Sequence, residues 1–183
     1  MKDFYKNYIK IIKSKLNQIN LKNINKLEKI IIETSKKSKK IIICGNGGSS
    51  ATASHVAVDL TKNANIRAIN FNEYDLITCF SNDFGYKNWI KKSLEYYADK
   101  DDLLILISCS GNSKNLLNGQ KKARSLGLKT ATLTGFKNSN LLNKSSNDVK
   151  IWINSKSYNH VEIIHHFILL MIVDKIINNN QKK

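Results

Sequence analysis

The sequence predicts an α/β fold, a three-layer α/β/α sandwich in which helices cover both faces of a five-stranded parallel sheet. Short runs rich in β-branched and other apolar residues recur along the chain, at 39–44, 66–71, 103–108, 130–134 and 149–153. Segments with apolar residues at three- and four-residue spacing separate them, at 49–62, 75–80, 88–97 and 112–125. Strands that alternate with helices in this way favour parallel pairing through right-handed crossovers.

Further helices are predicted at both ends of this core. Residues 4–19 and 24–35 show amphipathic spacing, with Leu27, Ile30 and Ile31 on a charged background, and residues 161–177 form a last long periodic segment. We expect one domain over residues 1–183, in which 1–37 supply helices for packing or oligomerisation and 38–178 form the ligand-binding core.

The composition indicates a globular protein with a basic surface. A length of 183 residues with 42% hydrophobic content allows a sizeable core, and the formal net charge is +16. Arginine is the preferred residue for bidentate recognition of bases and phosphates, yet Arg67 and Arg124 are the only two and the lysines are spread along the chain. We therefore interpret the charge as a lysine-rich surface and do not expect nucleic acid as a partner.

Cysteine usage and hydropathy indicate the compartment. The three cysteines, Cys44, Cys79 and Cys109, are an odd set without CxxC spacing, so neither a disulfide framework nor a thiolate metal site is predicted. No stretch approaches the roughly 20 apolar residues of a membrane span, and the first residues lack a continuous apolar segment. We expect a cytoplasmic protein without membrane attachment.

A glycine turn, defined here as residues 45–50 (Gly-Asn-Gly-Gly-Ser-Ser), follows the first predicted strand and opens a helix. Glycines allow positive φ and close ligand approach, and a helix N-terminus offers free N–H groups to an anion. The turn therefore predicts a ligand cradle formed by Asn46, Gly47, Gly48 and Ser49. It matches neither GxGxxG nor GxxxxGK[ST], so no nucleotide cofactor is expected. The alternative is a plain turn with Ser49 as the helix N-cap.

A serine loop, defined here as residues 108–113 (Ser-Cys-Ser-Gly-Asn-Ser), follows the third predicted strand and precedes another helix. Its hydroxyl and backbone N–H groups are suited to a phosphate, and open parallel sheets bind ligands at the carboxyl ends of their strands. Lys114 is the only adjacent cation, which suits a monophosphate that must exchange readily. The alternative is a serine-rich turn and helix cap without a ligand.

Several of these segments together resemble the bacterial phosphoheptose isomerase family in order and spacing. They are residues 44–49, the helix through His55 and Asp59, the Ser-Asn-Asp-Phe-Gly run at 81–85, the serine loop and the Leu-Thr-Gly run at 133–135. The similarity runs from about residue 39 to residue 174. It implies a sugar isomerase (SIS) fold of flavodoxin-like type and a homotetramer. It also implies isomerisation of sedoheptulose 7-phosphate to D-glycero-D-manno-heptose 7-phosphate, which supplies heptose for lipopolysaccharide and other surface polysaccharides.

The resemblance also implies which residues bind the substrate. The phosphate would be held by Ser108, Cys109, Ser110 and Ser113, with Cys109 at the position where the family usually has Thr. The sugar hydroxyls would be contacted by Asn46, Ser49 and Asp83.

The catalytic residues implied by the resemblance depart from the family pattern. The family places His and, four residues later, Glu on the helix after the glycine turn; here these are His55 and Asp59, one turn apart on the same face. An enediol mechanism needs a general base beside C1 and C2, and we predict that Asp59 is that base. The family's Gln and later His on the last helix correspond to Glu162 and Leu170. We predict that His166, one turn before Leu170 and about 6 Å from it along the helix axis, supplies the missing imidazole.

Two alternatives stay open at this stage. His55, Asp59, Glu162 and His166 have the ligand types of a catalytic zinc site, and the other interpretation is polar residues that only bond each other. For the function, the alternative is a non-catalytic SIS protein that binds a sugar phosphate or a partner such as a replication initiator. Leu170 favours that alternative, whereas the serine loop and the 82–85 run favour the enzyme. His160 and His165 are expected to be structural.

Overall fold

The computed structural model describes residues 3–181 and contains a five-stranded, all-parallel sheet in the order β2-β1-β3-β4-β5. The strands are β1 (Ile41–Gly45), β2 (Ala68–Ile69), β3 (Leu103–Ser108), β4 (Lys129–Thr134) and β5 (Val149–Trp152). This is the flavodoxin-like order, in which β1 and β3 are neighbours at the point where the strand order reverses. The predicted five-stranded parallel sheet is confirmed.

The helices cover both faces of the sheet. They are α1 (Phe4–Leu16), α2 (Leu21–Lys36), α3 (Gly48–Lys62), α4 (Tyr74–Phe84), α5 (Trp89–Tyr97), α6 (Lys114–Ser125), α7 (Leu141–Lys144) and α8 (Tyr158–Gln181). Ile41 and Ile43 of β1 pack in a core cluster with α2, α3 and α8, whereas Ile42 and Cys44 pack in a second cluster with α5 and α6. This alternation confirms the three layers. None of the helices within residues 3–181 combines the length and apolar character that a membrane span requires.

Some predicted boundaries are wrong. The strand predicted at 66–71 is limited to Ala68–Ile69, at the edge of the sheet, and the buried Ile66 and Phe71 lie outside it. The helix predicted at 75–80 continues to Phe84, and the four-residue α7 was not predicted. α3 begins at Gly48 with Gly47 in the N-cap position, so Ser49 is not the cap.

A buried ion pair joins the starts of β1 and β3. The Nζ atom of Lys40 lies 2.7 Å from Asp102 and 2.7 Å from Asp99, and Asp102 is fully buried. Asp102 also accepts hydrogen bonds from the backbone N–H groups of Lys40 and Asp99. Burial alone would lower the pKa of Lys40, but the hydrogen bonds to the two aspartates outweigh it and raise that pKa.

The carboxyl ends of β1, β3 and β4 bring the two predicted loops together. The glycine turn follows β1 and the serine loop follows β3, its direct neighbour in the sheet. The N–H group of Gly135, after β4, donates a 3.0 Å hydrogen bond to the carbonyl of Cys109 and so ties the serine loop to the next strand. The topology therefore places the site at this edge of the sheet.

Candidate active site

A cavity of about 110 Å³ lies between the glycine turn, the serine loop and the start of α8. Seven of the predicted site residues line it, together with Ile107, Leu116 and Tyr158; the seven are Asn46, Ser49, Ser108, Cys109, Ser110, Ser113 and Glu162. A wider groove of about 380 Å³ between α5 and α6, lined partly by Lys91 and Lys121, contains no predicted site residue. We therefore assign ligand binding to the smaller cavity.

Hydrogen bonds from backbone N–H groups to serine hydroxyls within the serine loop hold its conformation. The N–H of Gly111, at φ +64°, donates to Ser108 Oγ (3.1 Å), and the N–H of Asn112 donates to Ser110 Oγ (3.3 Å). Ser113 precedes α6 and its hydroxyl makes no capping bond, so it is available to a ligand beside the unsatisfied N–H groups of the first turn. None of the residues that line this cavity is Lys or Arg. The arrangement can bind a phosphate through hydroxyl and N–H donors.

Cys109 is a hydrogen-bond donor in this loop rather than a nucleophile. Its side chain is buried, and Sγ lies 3.9 Å from Glu162 Oε1 and 4.0 Å from the carbonyl of Tyr158. Burial, followed by the nearby Glu162 carboxylate, raises the pKa of the thiol to about 12. The thiol therefore stays protonated at neutral pH and can donate weakly, as a hydroxyl would at this position.

The glycine turn allows α8 to approach closely. A Cβ on Gly48 would lie 2.8 Å from Glu162 Oε1, so a larger residue would displace the Glu162 carboxylate from the cavity. On the other side of the turn, Asn46 and Asn115 exchange amide hydrogen bonds of 3.1 and 2.8 Å. Since Asn115 lies in the first turn of α6, this pair connects the glycine turn to the segment that carries the serine loop.

A second group of polar side chains joins α3 to α8. His166 Nε2 lies 2.9 Å from His55 Nδ1, and His55 Nε2 lies 3.3 Å from Asp59 Oδ2. An ionised carboxylate only accepts, so His55 Nε2–H donates to Asp59 and, in neutral His55, Nδ1 accepts from His166 Nε2–H. Burial lowers the pKa of His166, and the neighbouring His55 lowers it further while Asp59 opposes both. Since Nε2 carries the proton in this arrangement, Nδ1 is the His166 ring nitrogen that has a lone pair.

Helix α8 places this group one turn from the cavity. Tyr158, Glu162 and His166 are spaced by four residues and share one face of the helix. Tyr158 and Glu162 line the cavity, whereas His166 lies about 6 Å further along the axis, outside its lining. The predicted catalytic residues Asp59 and His166 are therefore joined to each other through His55, next to the cavity that the serine loop lines.

The four predicted metal ligands do not fit an ion as they are placed. His55 uses both ring nitrogens on His166 and Asp59, and Glu162 lies against Gly48 and Cys109 instead. Over residues 3–181, no group of three or more His, Cys, Asp or Glu side chains is arranged to hold a metal ion. The zinc site stays a prediction.

The remaining predicted residues lie outside the cavity. Asp83 is on the last turn of α4, exposed, and accepts hydrogen bonds from Asn82 Nδ2 (3.0 Å) and Cys79 Sγ (3.8 Å). Its contact with the sugar stays a prediction. His165 is fully buried and donates Nε2–H to the carbonyl of Thr134 (3.2 Å), and burial lowers its pKa to about 4. This arrangement agrees with the structural role expected for His165.

Three polar residues at the site were not predicted. Tyr158 lines the cavity, Asn115 holds Asn46, and the hydroxyl of Tyr86 lies 3.1 Å from Asn46 Oδ1. The four-residue spacing to Glu162 and His166 is a sequence signal for Tyr158. No comparable pattern points to Tyr86 or Asn115, because their contacts are made between segments that are distant in sequence.

Comparisons with known proteins identify the family and the fold. The SIS domain family model matches residues 4–135. The chain is 34% identical to the phosphoheptose isomerase of Helicobacter pylori strain P12 over 80% of this chain and 79% of that protein. It is 38% identical to the Cytophaga hutchinsonii phosphoheptose isomerase over 81% and 83% of the two chains. The structure of a Francisella tularensis phosphoheptose isomerase superposes with a TM-score of 0.87 at 25% identity, covering 96% and 95% of the two chains.

The fold, the serine-loop cavity and these similarities lead to one assignment. The chain belongs to the SIS-domain proteins and, among them, to the phosphoheptose isomerase family.

Proposed function

We propose that this chain, as a phosphoheptose isomerase, interconverts sedoheptulose 7-phosphate and D-glycero-D-manno-heptose 7-phosphate through an enediol. This aldose–ketose isomerisation belongs to heptose biosynthesis. One observation carries the proposal: a hydroxyl-lined phosphate cavity lies one helical turn from a connected Asp59–His55–His166 group. A phosphorylated sugar of seven carbons extends from such a phosphate site toward that group.

Each region of the site has a role in this proposal. The serine loop and the first turn of α6 bind the phosphate, and Asn46 and Glu162 contact hydroxyls in the middle of the sugar. The carbonyl end then lies near His166 Nδ1. From the ketose, His166 takes a proton from C1 and returns it to C2, while the proton of the O1 hydroxyl is transferred to O2, so that C1 becomes the carbonyl carbon. Asp59, predicted above as the base, acts through His55, because it accepts the His55 Nε2–H bond that sets the imidazole orientation.

The test is isomerisation of sedoheptulose 7-phosphate by the purified protein, with the aldose product followed directly. We expect turnover, and we expect Ser110→Ala to raise KM because it removes one of the hydroxyls that line the cavity. The exposed Ser125 on α6 provides a matched control, since Ser125→Ala removes a hydroxyl far from the loop. Unchanged KM in Ser110→Ala would contradict the phosphate assignment.

The predicted zinc is tested in the same assay, with added zinc and again after chelation. Binding of an ion between His55 and His166 would require the two rings to separate, since their nitrogens are 2.9 Å apart. Metal analysis of the purified protein gives the stoichiometry independently of activity.

A non-catalytic role as a sugar-phosphate-binding or partner-binding SIS protein is the second candidate. Leu170, in place of the family's histidine, and Asp59, in place of its glutamate, favour it. Binding of sedoheptulose 7-phosphate without any turnover would support this candidate, and measurable turnover would exclude it as the sole function.

We further propose a homotetramer in the cytoplasm. Exposed apolar side chains support self-association; on α1 and α8 they include Phe4, Tyr5, Ile9, Ile163 and Phe167. Three unpaired cysteines, two of them buried, suit a reducing compartment.

A further inference from the structure

Three hydrogen bonds converge on the side chain of Asn46. Its Oδ1 accepts from Asn115 Nδ2 (2.8 Å) and from the Tyr86 hydroxyl (3.1 Å), and its Nδ2 donates to Asn115 Oδ1 (3.1 Å). An amide oxygen has two lone pairs and an amide nitrogen has two N–H bonds. Both lone pairs are therefore occupied, and one N–H remains. Because Asn46 lines the cavity, that N–H is left to donate to a ligand oxygen.

The two partners of Asn46 differ in how firmly they are held. Asn115 is 2% exposed in the first turn of α6, whereas the Tyr86 residue as a whole is 56% exposed. Tyr86 lies in the connection between α4 and α5, after Gly85, which has φ +77° and ends α4. The backbone N–H of Asn88 bonds back to the carbonyl of Gly85 (2.8 Å), so this connection is a tight turn. The hydroxyl bond of Tyr86 joins that turn to the glycine turn beside the cavity.

Loss of the Tyr86 hydroxyl would change what Asn46 presents to the sugar. One lone pair of Oδ1 would become free, so the amide would no longer act on a ligand only as a donor. The buried Asn115 pair would persist, which means that the fold of the two loops does not depend on Tyr86. The effect of Tyr86 is therefore expected on ligand binding rather than on folding.

We propose that Tyr86 is a positioning residue that fixes Asn46 as a hydrogen-bond donor to a substrate hydroxyl and holds the α4–α5 connection against the cavity. This inference rests on the proposed function, because it assigns a role to Tyr86 in binding the same sugar phosphate. Tyr86 acts through Asn46 and does not itself carry out the chemistry.

The experiment compares Tyr86→Phe with Tyr96→Phe, which removes the hydroxyl of another exposed tyrosine, on the neighbouring helix α5. We expect Tyr86→Phe to raise KM for sedoheptulose 7-phosphate about five-fold, the effect of one hydrogen bond, with kcat nearly unchanged. Tyr96→Phe should match the wild type. Both variants should unfold at the wild-type temperature in the absence of ligand.

A double-mutant cycle tests whether the effect passes through Asn46. In an Asn46→Ala background, Tyr86→Phe should cause no further rise in KM, because the residue on which it acts is gone. An equal rise in both backgrounds would overturn the proposal, as would a Tyr86→Phe variant with wild-type KM.

A measurement of sedoheptulose 7-phosphate binding distinguishes failure of the Tyr86 proposal from failure of the proposed isomerase function. If the wild type binds sedoheptulose 7-phosphate without isomerising it, the catalytic proposal fails and Kd replaces KM in the same cycle. A five-fold weaker Kd in Tyr86→Phe alone would then still support the positioning role. If the wild type does not bind the sugar phosphate at all, both proposals are overturned.

Discussion

The hydrogen bond to His55 sets the tautomer of His166, and the contact with Asp59 orients the His55 ring. This connected group provides a basic nitrogen one turn beyond the phosphate cavity. We predict that His166→Gln lowers kcat by about 100-fold or more, the usual contribution of a general acid or base. Substrate affinity should change little, because His166 does not line the cavity.

The control for this prediction is another histidine on the same helix. His160 packs its ring against Tyr8 at 4.7 Å and belongs to neither the cavity nor the His55 group. His160→Gln should keep the wild-type kcat. A His166→Gln variant with full activity would contradict the proposed acid–base role.

His165 should make the protein less stable in mild acid. Burial lowers its pKa to about 4 in the folded state, against 6.5 in the unfolded chain, so the unfolded state binds the proton more readily between these values. The stabilisation from neutral His165 is fully present above pH 6.5 and is lost as the pH falls toward 4. From pH 7 to pH 5 we expect His165 to account for a decrease of about 2 kcal/mol in the free energy of unfolding.

Urea denaturation at both pH values measures this effect. His165→Gln keeps a donor for the Thr134 carbonyl but does not titrate, so its loss of stability between pH 7 and pH 5 should be smaller than that of the wild type. Equal losses in the two proteins would show that His165 does not control the acid response.

Among the elements, β1 and β3 depend on the buried Lys40–Asp102 pair at their starts. Asp102 is fully buried, whereas the Asp99 side chain is 64% exposed although it contacts the same lysine. Asp102→Ala leaves a buried ammonium without its main partner and two backbone N–H groups unsatisfied. We predict a loss of about 3 kcal/mol in the free energy of unfolding.

The exposed partner gives the matched control. Asp99→Ala should have little effect, because solvent screens an exposed ion pair. Thermal or chemical denaturation distinguishes the two variants. Similar stabilities for Asp102→Ala and Asp99→Ala would contradict the assigned importance of burial.

How accurately the bounds of a strand or helix were predicted depends on how that element is buried. The run at 103–108 was predicted with its correct bounds, because a strand covered on both faces is continuously apolar. The run at 66–71 was overestimated, since Ile66 and Phe71 are buried by helices outside the ladder. The extension of α4 through Ser81 to Phe84 was missed because that run contains polar residues typical of a loop.

The part of the candidate site formed by the two loops after β1 and β3 could be predicted from the sequence. Two polar, glycine-containing loops after neighbouring parallel strands must meet at one edge of the sheet, and the cavity lies there. The convergence of Glu162 with Gly48, and of His55 with His166, depends on how α8 crosses α3, which a single sequence does not encode in any local pattern. The Tyr86–Asn46 bond was missed for the same reason.

At the scale of the whole molecule, the exposed apolar side chains of α1 and α8 are expected to contact other copies. Ile163 and Phe167 are about half exposed, four residues apart on α8. Light scattering should give the mass of four chains, and Phe167→Asp should lower it, because a carboxylate in an apolar contact is poorly solvated. Ser125→Asp on α6 is the control. A monomeric wild type would contradict the homotetramer.

Conversion of sedoheptulose 7-phosphate by the wild type in deuterium oxide, followed by NMR, tests the proposed isomerisation. We predict that an aldose heptose 7-phosphate forms and that it carries deuterium at C2, because the proton that His166 holds exchanges with solvent before it is returned to the enediol. His166→Gln should form this product far more slowly. Recovery of the ketose without aldose formation or deuterium exchange would contradict the account.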